Sequence, residues 1–394
     1  MGEAGLTAGV ERLADVAPAE WGGLSRCPSY YLTYDWMSVM APALGSDLDA
    51  VLVRDRSGAP LLGAPLSTVT AGGDAAYDPL RVLARAGREA QHGEPRLQAL
   101  AGCLDRSAGG LYPAVTVVAP GFVSGVCESP ALGQAGADAA AATLLDGLER
   151  EARSRAAGAA AFLYLPEEPG CRVGRLAAGR GYRSAVVAAR CVLEVAWPTF
   201  EDYLRSRTKT RRKSIRAEVD RFRAQFAVEV TGAEGLTDEL VPLHARWRAK
   251  HGRPVPEAEL SRQYASIRER LGPAVRVFIA RREDRPAAFA QFYEHRGTLY
   301  SRAIGFDYDS VEGRFAYFNL LFYEPLRHAM AHGLRALDYS FESYEAKVGR
   351  GCALQHLLVL LKPLAPVGPW FDEYVRLTDR GRRAGFLRLR ELHP

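Results

Sequence analysis

Residues 277–293 read VFIARREDRPAAFAQFY, and residues 51–66 read VLVRDRSGAPLLGAPL. In each, a short apolar run closes on an arginine (Arg281, Arg54), a polar turn follows, and a proline (Pro286, Pro60) opens a second apolar run. This is the pattern of two strands joined by a tight turn. A helical stretch precedes each hairpin, YDWMSVMAPAL (34–44) and DELVPLHARWRAKHG (238–252). A long helix and a buried strand follow each: TLLDGLEREARSRAAG leads to AAFLYLP, and FNLLFYEPLRHAMAHG leads to ALDYSF. Gly158 and Gly333 stand where helix C-caps are expected. The order helix, hairpin, strand, long helix, strand is an α/β order, and it occurs twice at an offset of about 226 residues.

The two copies differ in length. The first carries roughly fifty extra residues, among them LARAGREAQHGEPRLQALAGCLDRSAGG, which reads as an insertion near 73–112. The boundary falls near WPTF (197–200), so the expected domains are 1–196, with that insertion, and 197–394. A chain of 394 residues has room for two domains, and 48% hydrophobic with 25% charged residues is an ordinary globular composition. No run approaches eighteen apolar residues and the N-terminus lacks a signal-peptide pattern, so the expectation is a cytoplasmic protein without a membrane span. Six scattered cysteines without a C-x-x-C pair read as reduced thiols.

Charge is concentrated in one place. LRSRTKTRRKSIRAEVDRFR (204–223) holds nine Lys or Arg against two acids, a local +7 in a protein whose net charge is +5. From Ile215 the tract is amphipathic: Ile215, Val219, Phe222 and Phe226 form an apolar stripe, while Arg212, Arg216 and Arg223 form a second stripe about a quarter-turn away. So many like charges repel unless an anion arrives. Arg207, Lys209, Arg211, Arg212, Lys213 and Arg216 are therefore candidate phosphate or RNA contacts, the alternative being a solvated helix face.

The repeated order looks like the GNAT acyltransferase fold in tandem, two domains each with a mixed, splayed β-sheet flanked by helices. The second half carries the closer likeness. YLRSRTKTRRKSIRAEV followed by LYSRAIGFDYDSVEGRFAYFNLLFYEPLRHAMAHGLRALDYSFESYEAKVGRG resembles BioF2-like and FemAB-like (peptidoglycan biosynthesis) proteins, relatives of the Fem-type aminoacyl-tRNA-dependent transferases. The resemblance spans about residues 200–362, and the first half shares it by architecture. It implies an N-acyltransferase that forms an amide bond, with aminoacyl-tRNA as co-substrate, no bound cofactor, and an amine of a small metabolite or cell-wall precursor as acceptor. Two alternatives remain: an acyl-CoA-dependent N-acetyltransferase, and a non-catalytic RNA- or polyanion-binding protein on the same scaffold. The GNAT pyrophosphate motif Q/R-x-x-G-x-G/A is eroded here to Ser310-Val-Glu-Gly313-Arg-Phe315. Glu312 adds an anion beside the expected phosphate, which weakens the acyl-CoA reading.

The chemistry is expected just past the strand ALDYSF, where an open α/β sheet places its site. Lys347, Glu342, Tyr344 and Glu345 are the catalytic candidates: an oxyanion donor, two possible proton acceptors and a holder of the leaving hydroxyl. Fem-type transferases carry a lysine after an aromatic residue in a comparable place; here Ala346 precedes Lys347. Tyr300 and Arg302, expected on one strand face, and Tyr317, Asn319 and Tyr323, polar interruptions of an apolar helix, are the substrate-binding candidates. His328 and His332 stand four apart without a third ligand, so no metal is expected. The sequence also lacks Walker, nucleophile-elbow and dinucleotide patterns.

Overall fold

The computed structural model describes residues 5–44, 48–90, 94–168, 171–309 and 313–392. The chain divides into two compact units, Met1–Ala189 with Gln355–Leu392, and Arg190–Leu354.

In the first unit, β1 (Thr7–Arg12), α1 (Pro18–Gly23) and α2 (Tyr34–Met40) lead into the hairpin β2 (Asp49–Arg54) and β3 (Pro60–Val69). Arg54 pairs with Pro60 across the turn, as the sequence pattern requires. The insertion folds as two helices, α3 (Pro79–Ala90) and α4 (Pro95–Ser107). Then come β4 (Ala114–Val117), β5 (Cys127–Glu128), α5 (Gln134–Ser154), β6 (Ala159–Pro166), α6 (Arg172–Ala178) and β7 (Arg183–Glu194), whose residues from Arg190 onward belong to the second unit. β4 and β6 are parallel; β1, β2 and β3 run antiparallel beside them, so the sheet is mixed.

The second unit opens with α7 (Phe200–Arg205) and α8 (Lys209–Arg223), the basic tract. β8 (Ala227–Thr231), α9 (Val241–Lys250) and α10 (Glu257–Leu271) follow, then β9 (Val275–Arg282), β10 (Arg285–His295) and β11 (Thr298–Phe306). α11 (Gly313–Phe318), a π-turn at Asn319–Tyr323 and α12 (Glu324–Ala331) form the long helix, followed by β12 (Ala336–Asp338) and α13 (Tyr344–Val348). The strands lie in the order β12-β11-β10-β9-β8. Ile215, Val219, Phe222 and Phe226 are all buried, in one core with Phe278, Phe292 and Leu320. α8 therefore docks by the stripe its spacing defines.

The last elements are β13 (Ala353–Pro363) and α14 (Trp370–Glu391). Sequence order places them in the 197–394 half, yet from Gln355 they fold into the first unit: β13 pairs antiparallel with β6, and α14 packs on α3 and α4. The apolar faces of the insertion helices give α14 its partner. Two further differences are local. Gly333 takes the left-handed position after α12 (φ 65), but after α5 that position falls to Ala156 (φ 50). Gly158 instead admits close chain approach, since a Cβ there would lie 2.2 Å from the Gly110 carbonyl oxygen. Cys27 and Cys127 are joined in a disulfide, contrary to the expectation of thiols throughout; Cys103, Cys171, Cys191 and Cys352 are free. The pairing of Arg26 with Glu128 brings together two segments whose separation of 100 residues gives no sequence cue.

Candidate active site

β11 and β12 are parallel neighbours only from Thr298–Tyr300 against Ala336–Asp338. β11 then continues to Phe306 while the other chain turns away after Asp338, so the sheet opens at this point. A β-bulge marks the same place. Gln291 pairs with Ala303 but Phe292 with Ser301, which leaves Arg302 as the extra residue of β11. Bulges re-aim side chains and are frequent beside active sites.

The segment after β12 is strained. Ser340, Glu342 and Ser343 have φ of 58, 67 and 50, in the left-handed region that bulky residues enter only when held there. Lys347 supplies part of the hold. It is 4% exposed, and its Nζ donates to the carbonyl oxygens of Tyr339 (2.7 Å) and Phe341 (2.9 Å). Burial pulls its pKa below the ordinary lysine value. Asp338 accepts from the Ser340 N–H at 2.8 Å and lies 3.4 Å from Arg190; Tyr317 hydrogen-bonds Ser343.

Beneath this loop is a buried polar cluster that the sequence reading only half identified. Arg350, 2% exposed, donates to Glu218 Oε2 (3.0 Å), to the Tyr323 hydroxyl (2.9 Å) and to the Ala346 carbonyl (3.0 Å), and lies 3.3 Å over the Phe318 ring. Tyr323 in turn donates to Glu218. Asn319, fully buried, donates to the carbonyls of Phe315 (2.8 Å) and Glu218 (3.1 Å). Its amide thus takes up an i−4 carbonyl where the π-turn widens the helix. The Asn319 Oδ1 and the Tyr339 hydroxyl are buried without a hydrogen-bond partner among the described residues.

The basic tract reaches the same place. Arg207 lies over the rings of Trp197 (5.7 Å) and Tyr203 (5.6 Å), and a Cβ on Gly351 would meet its guanidinium at 2.4 Å. A Cβ on Gly349 would meet Arg211 at 2.8 Å. Those glycines leave room for two guanidinium groups beside the loop that Lys347 pins. Among the described residues Arg207, Lys209, Arg211, Arg212 and Lys213 have no carboxylate partner; Arg205, Arg216 and Arg223 do, in Asp202, Glu201 and Glu324. The protein's own acids neutralise the two ends of the tract and leave its middle cationic.

The structure thus brings together Arg207, Arg211, Lys347, Glu342, Tyr317, Asn319 and Tyr323. Glu342 and Glu345 are exposed, Tyr344 packs half-buried against the core, and Lys209 and Lys213 face solvent. Tyr300 and Arg302 are placed elsewhere. Leu299, Phe292 and Ile304 face the core that holds the π-turn, whereas Arg302 acts electrostatically on Tyr293 and His244, on the α9 side of the sheet. Asp338 is paired with Arg190. The motif positions Ser310 and Glu312 lie outside the described residues. Glu218 and Arg350 went unrecognised inside a charge run and a glycine-rich turn, although Glu218 is the one acid on the buried stripe of α8.

Among the described residues no helix is long and apolar enough to cross a membrane, and no group of three or more His, Cys, Asp or Glu could hold a metal. A family model, FemAB-like (peptidoglycan biosynthesis/recognition), matches residues 98–356. No curated protein matches in sequence. Among solved structures, FemX is similar at a TM-score of 0.58 and 11% identity, over 89% of this chain and 96% of that one. L-PGS from Bacillus licheniformis matches at 0.46 and 12%, over 68% and 83%. A tandem GNAT protein from the clavulanic acid biosynthesis pathway matches at 0.46 and 12%, over 92% and 100%. At such identities the likeness to FemX is one of fold.

Proposed function

The chain belongs to the FemAB-like family of peptidoglycan biosynthesis and recognition and is an acyltransferase, and from that premise we propose that it transfers an amino acid from aminoacyl-tRNA to an amine of a cell-wall precursor, in the cytoplasm. One observation carries this reading. The unneutralised part of the basic tract, Arg207 and Arg211, lies directly against Gly349 and Gly351, beside the strained loop held by Lys347. A donor whose phosphates engage the arginines would present its terminal ester to that loop.

The reaction needs little beyond placement: the amine nitrogen bonds to the ester carbonyl, the ester C–O bond breaks, and the 3′-hydroxyl leaves with a proton. Exposed Glu342 takes the proton that the amine loses and passes it to the departing 3′-oxygen. Lys347, with both carbonyl contacts satisfied, acts by fixing the loop that carries Glu342. Arg350 and Glu218 fix the turn from below, linking it to α8. Lys209, Arg212 and Lys213 extend the phosphate contacts, and Tyr344 and Glu345 border the acceptor.

Calorimetry separates the donors. At physiological salt, tRNA gives saturable heat that Arg207→Gln/Arg211→Gln removes, and acetyl-CoA gives none. Saturable acetyl-CoA binding with no response to RNA would overturn the proposal in favour of a thioester donor.

A further inference from the structure

The middle of the basic tract meets an aromatic ring that the sequence keeps apart from it. Trp197 lies in the connection between β7 and α7, ahead of the tract. The fold stands its ring edge-on to that of Tyr203, with centroids 5.1 Å apart and planes at 72°. Tyr203 is 1% exposed, and its hydroxyl donates to the Arg350 carbonyl at 2.9 Å, so it is a fixed wall. Trp197 is half-buried, and its indole Nε1–H has no acceptor among the described residues. The fully buried Trp21 and Trp36, by contrast, each donate Nε1–H to a backbone carbonyl. Part of the Trp197 indole is therefore open to solvent.

Arg207 faces this ring at a distance that leaves room. Its guanidinium carbon is 5.7 Å from the Trp197 centroid and 5.6 Å from that of Tyr203. Two other arginines of the same unit do pack onto rings, Arg350 over Phe318 at 3.3 Å and Arg327 over Phe200 at 3.6 Å. At nearly 6 Å cation and ring still attract, but the groups do not touch. The same guanidinium borders Gly351, where a Cβ would lie 2.4 Å from it. Gly351 in turn donates to the Val348 carbonyl at 2.8 Å, one residue past Lys347. Indole, guanidinium and glycine turn thus follow one another toward the pinned loop.

A terminal nucleotide carries matching groups in one residue: a flat base, a 5′-phosphate and the 3′-ester. A phosphate on Arg207 brings its own base to the indole while the ester points at the loop. Bases stack on aromatic faces, and they do so with little regard to sequence, because every base has a π-face. We propose that Trp197 is the stacking platform for the terminal base of the donor RNA, with Arg207 on the 5′-phosphate of the same nucleotide. The inference rests on the aminoacyl-tRNA reading and adds a base contact to its phosphate contacts.

The test reads stacking directly. The full chain is titrated into an uncharged trinucleotide of the tRNA 3′ end whose last base is 2-aminopurine, a fluorophore that stacking quenches. Wild type should quench it saturably, and Trp197→Phe, which keeps an aromatic face, should bind within about threefold of wild type. Trp197→Leu should bind about tenfold more weakly and lose most of the quenching at saturation. A trinucleotide abasic at its last position should bind wild type and Trp197→Leu equally, since nothing remains to stack; a variant that had lost its fold would bind it less. If wild type transfers from tRNA but Trp197→Leu keeps both affinity and quenching, the platform is wrong and the donor assignment stands. If wild type binds neither the trinucleotide nor tRNA, both fall. Coenzyme A displacing the trinucleotide from wild type, with charged tRNA unused as a donor, would assign the ring to that cofactor's adenine and overturn the proposal.

Discussion

Glu218 and Arg350 are each a liability alone. Both are buried, at 8% and 2% exposure, and each neutralises the other at 3.0 Å. Removing one partner strands a charge, which costs about 3–5 kcal/mol, whereas replacing both with apolar or neutral groups of similar volume is often near neutral. Arg350→Met should therefore lower stability to urea by about 3–5 kcal/mol, and adding Glu218→Gln should restore a substantial part of it. A single variant as stable as wild type would show that the pair is solvated. At this scale the sequence was partly legible. Asn319 and Tyr323 stood out as polar residues in an apolar helix, and both are in the cluster. Lys347 stood out as a charge past a buried strand, but its buried contacts with two carbonyls depend on the fold of the 339–343 loop, which no spacing encodes.

At the scale of elements, periodicity carried most of the information. The paired hairpins, the apolar stripe of α8 and the left-handed Gly333 follow from local pattern. The bulge at Arg302 does not, because one extra residue in a strand leaves the apolar alternation nearly intact while changing what lies beyond it. The packing of α9 on β11 adds a titratable group to this register. Gly305 allows the approach, since a Cβ there would lie 2.7 Å from the His244 backbone nitrogen. His244 itself is buried, bonded through Nδ1 to the Tyr264 hydroxyl at 3.1 Å. Burial, then the charges of Arg248 and Arg302, press its pKa down to about 3. The unfolded chain, with an ordinary histidine, therefore binds more protons than the folded one between about pH 3 and 6.5. The neutral imidazole contributes fully above that window, and its contribution is lost as pH falls through it, by about 1.4 kcal/mol per unit. The stability difference between wild type and His244→Gln, from urea midpoints, should shrink by about 2 kcal/mol between pH 6.5 and pH 5. A difference independent of pH would mean that the imidazole is solvated.

At the scale of the whole molecule, the division of the chain was the least legible feature. Composition and repeat order place a boundary near 197, close to the change of unit at Arg190, but neither reveals that the chain from Gln355 folds with the first unit. That return depends on β6 and the insertion helices offering partners far away in sequence. The Cys27–Cys127 link was hidden for the same reason. Thiol titration in denaturant should find four reactive groups without reductant and six with it; six in both cases would show that the pair is not bonded. Charge was legible at this scale: among the described residues the middle of the basic tract has no carboxylate partner, and it meets the pinned loop. The most direct measurement follows a labelled amino acid through a single turnover, from purified charged tRNA to a cell-wall precursor amine. The account predicts that label leaves the base-labile RNA ester for a base-stable amide, that RNase pretreatment abolishes the transfer, and that Arg207→Gln/Arg211→Gln slows it at least tenfold at subsaturating donor, each lost phosphate contact being worth several-fold in affinity or more. Label retained on the RNA, while the same enzyme acylates the amine from a thioester of coenzyme A, would contradict it.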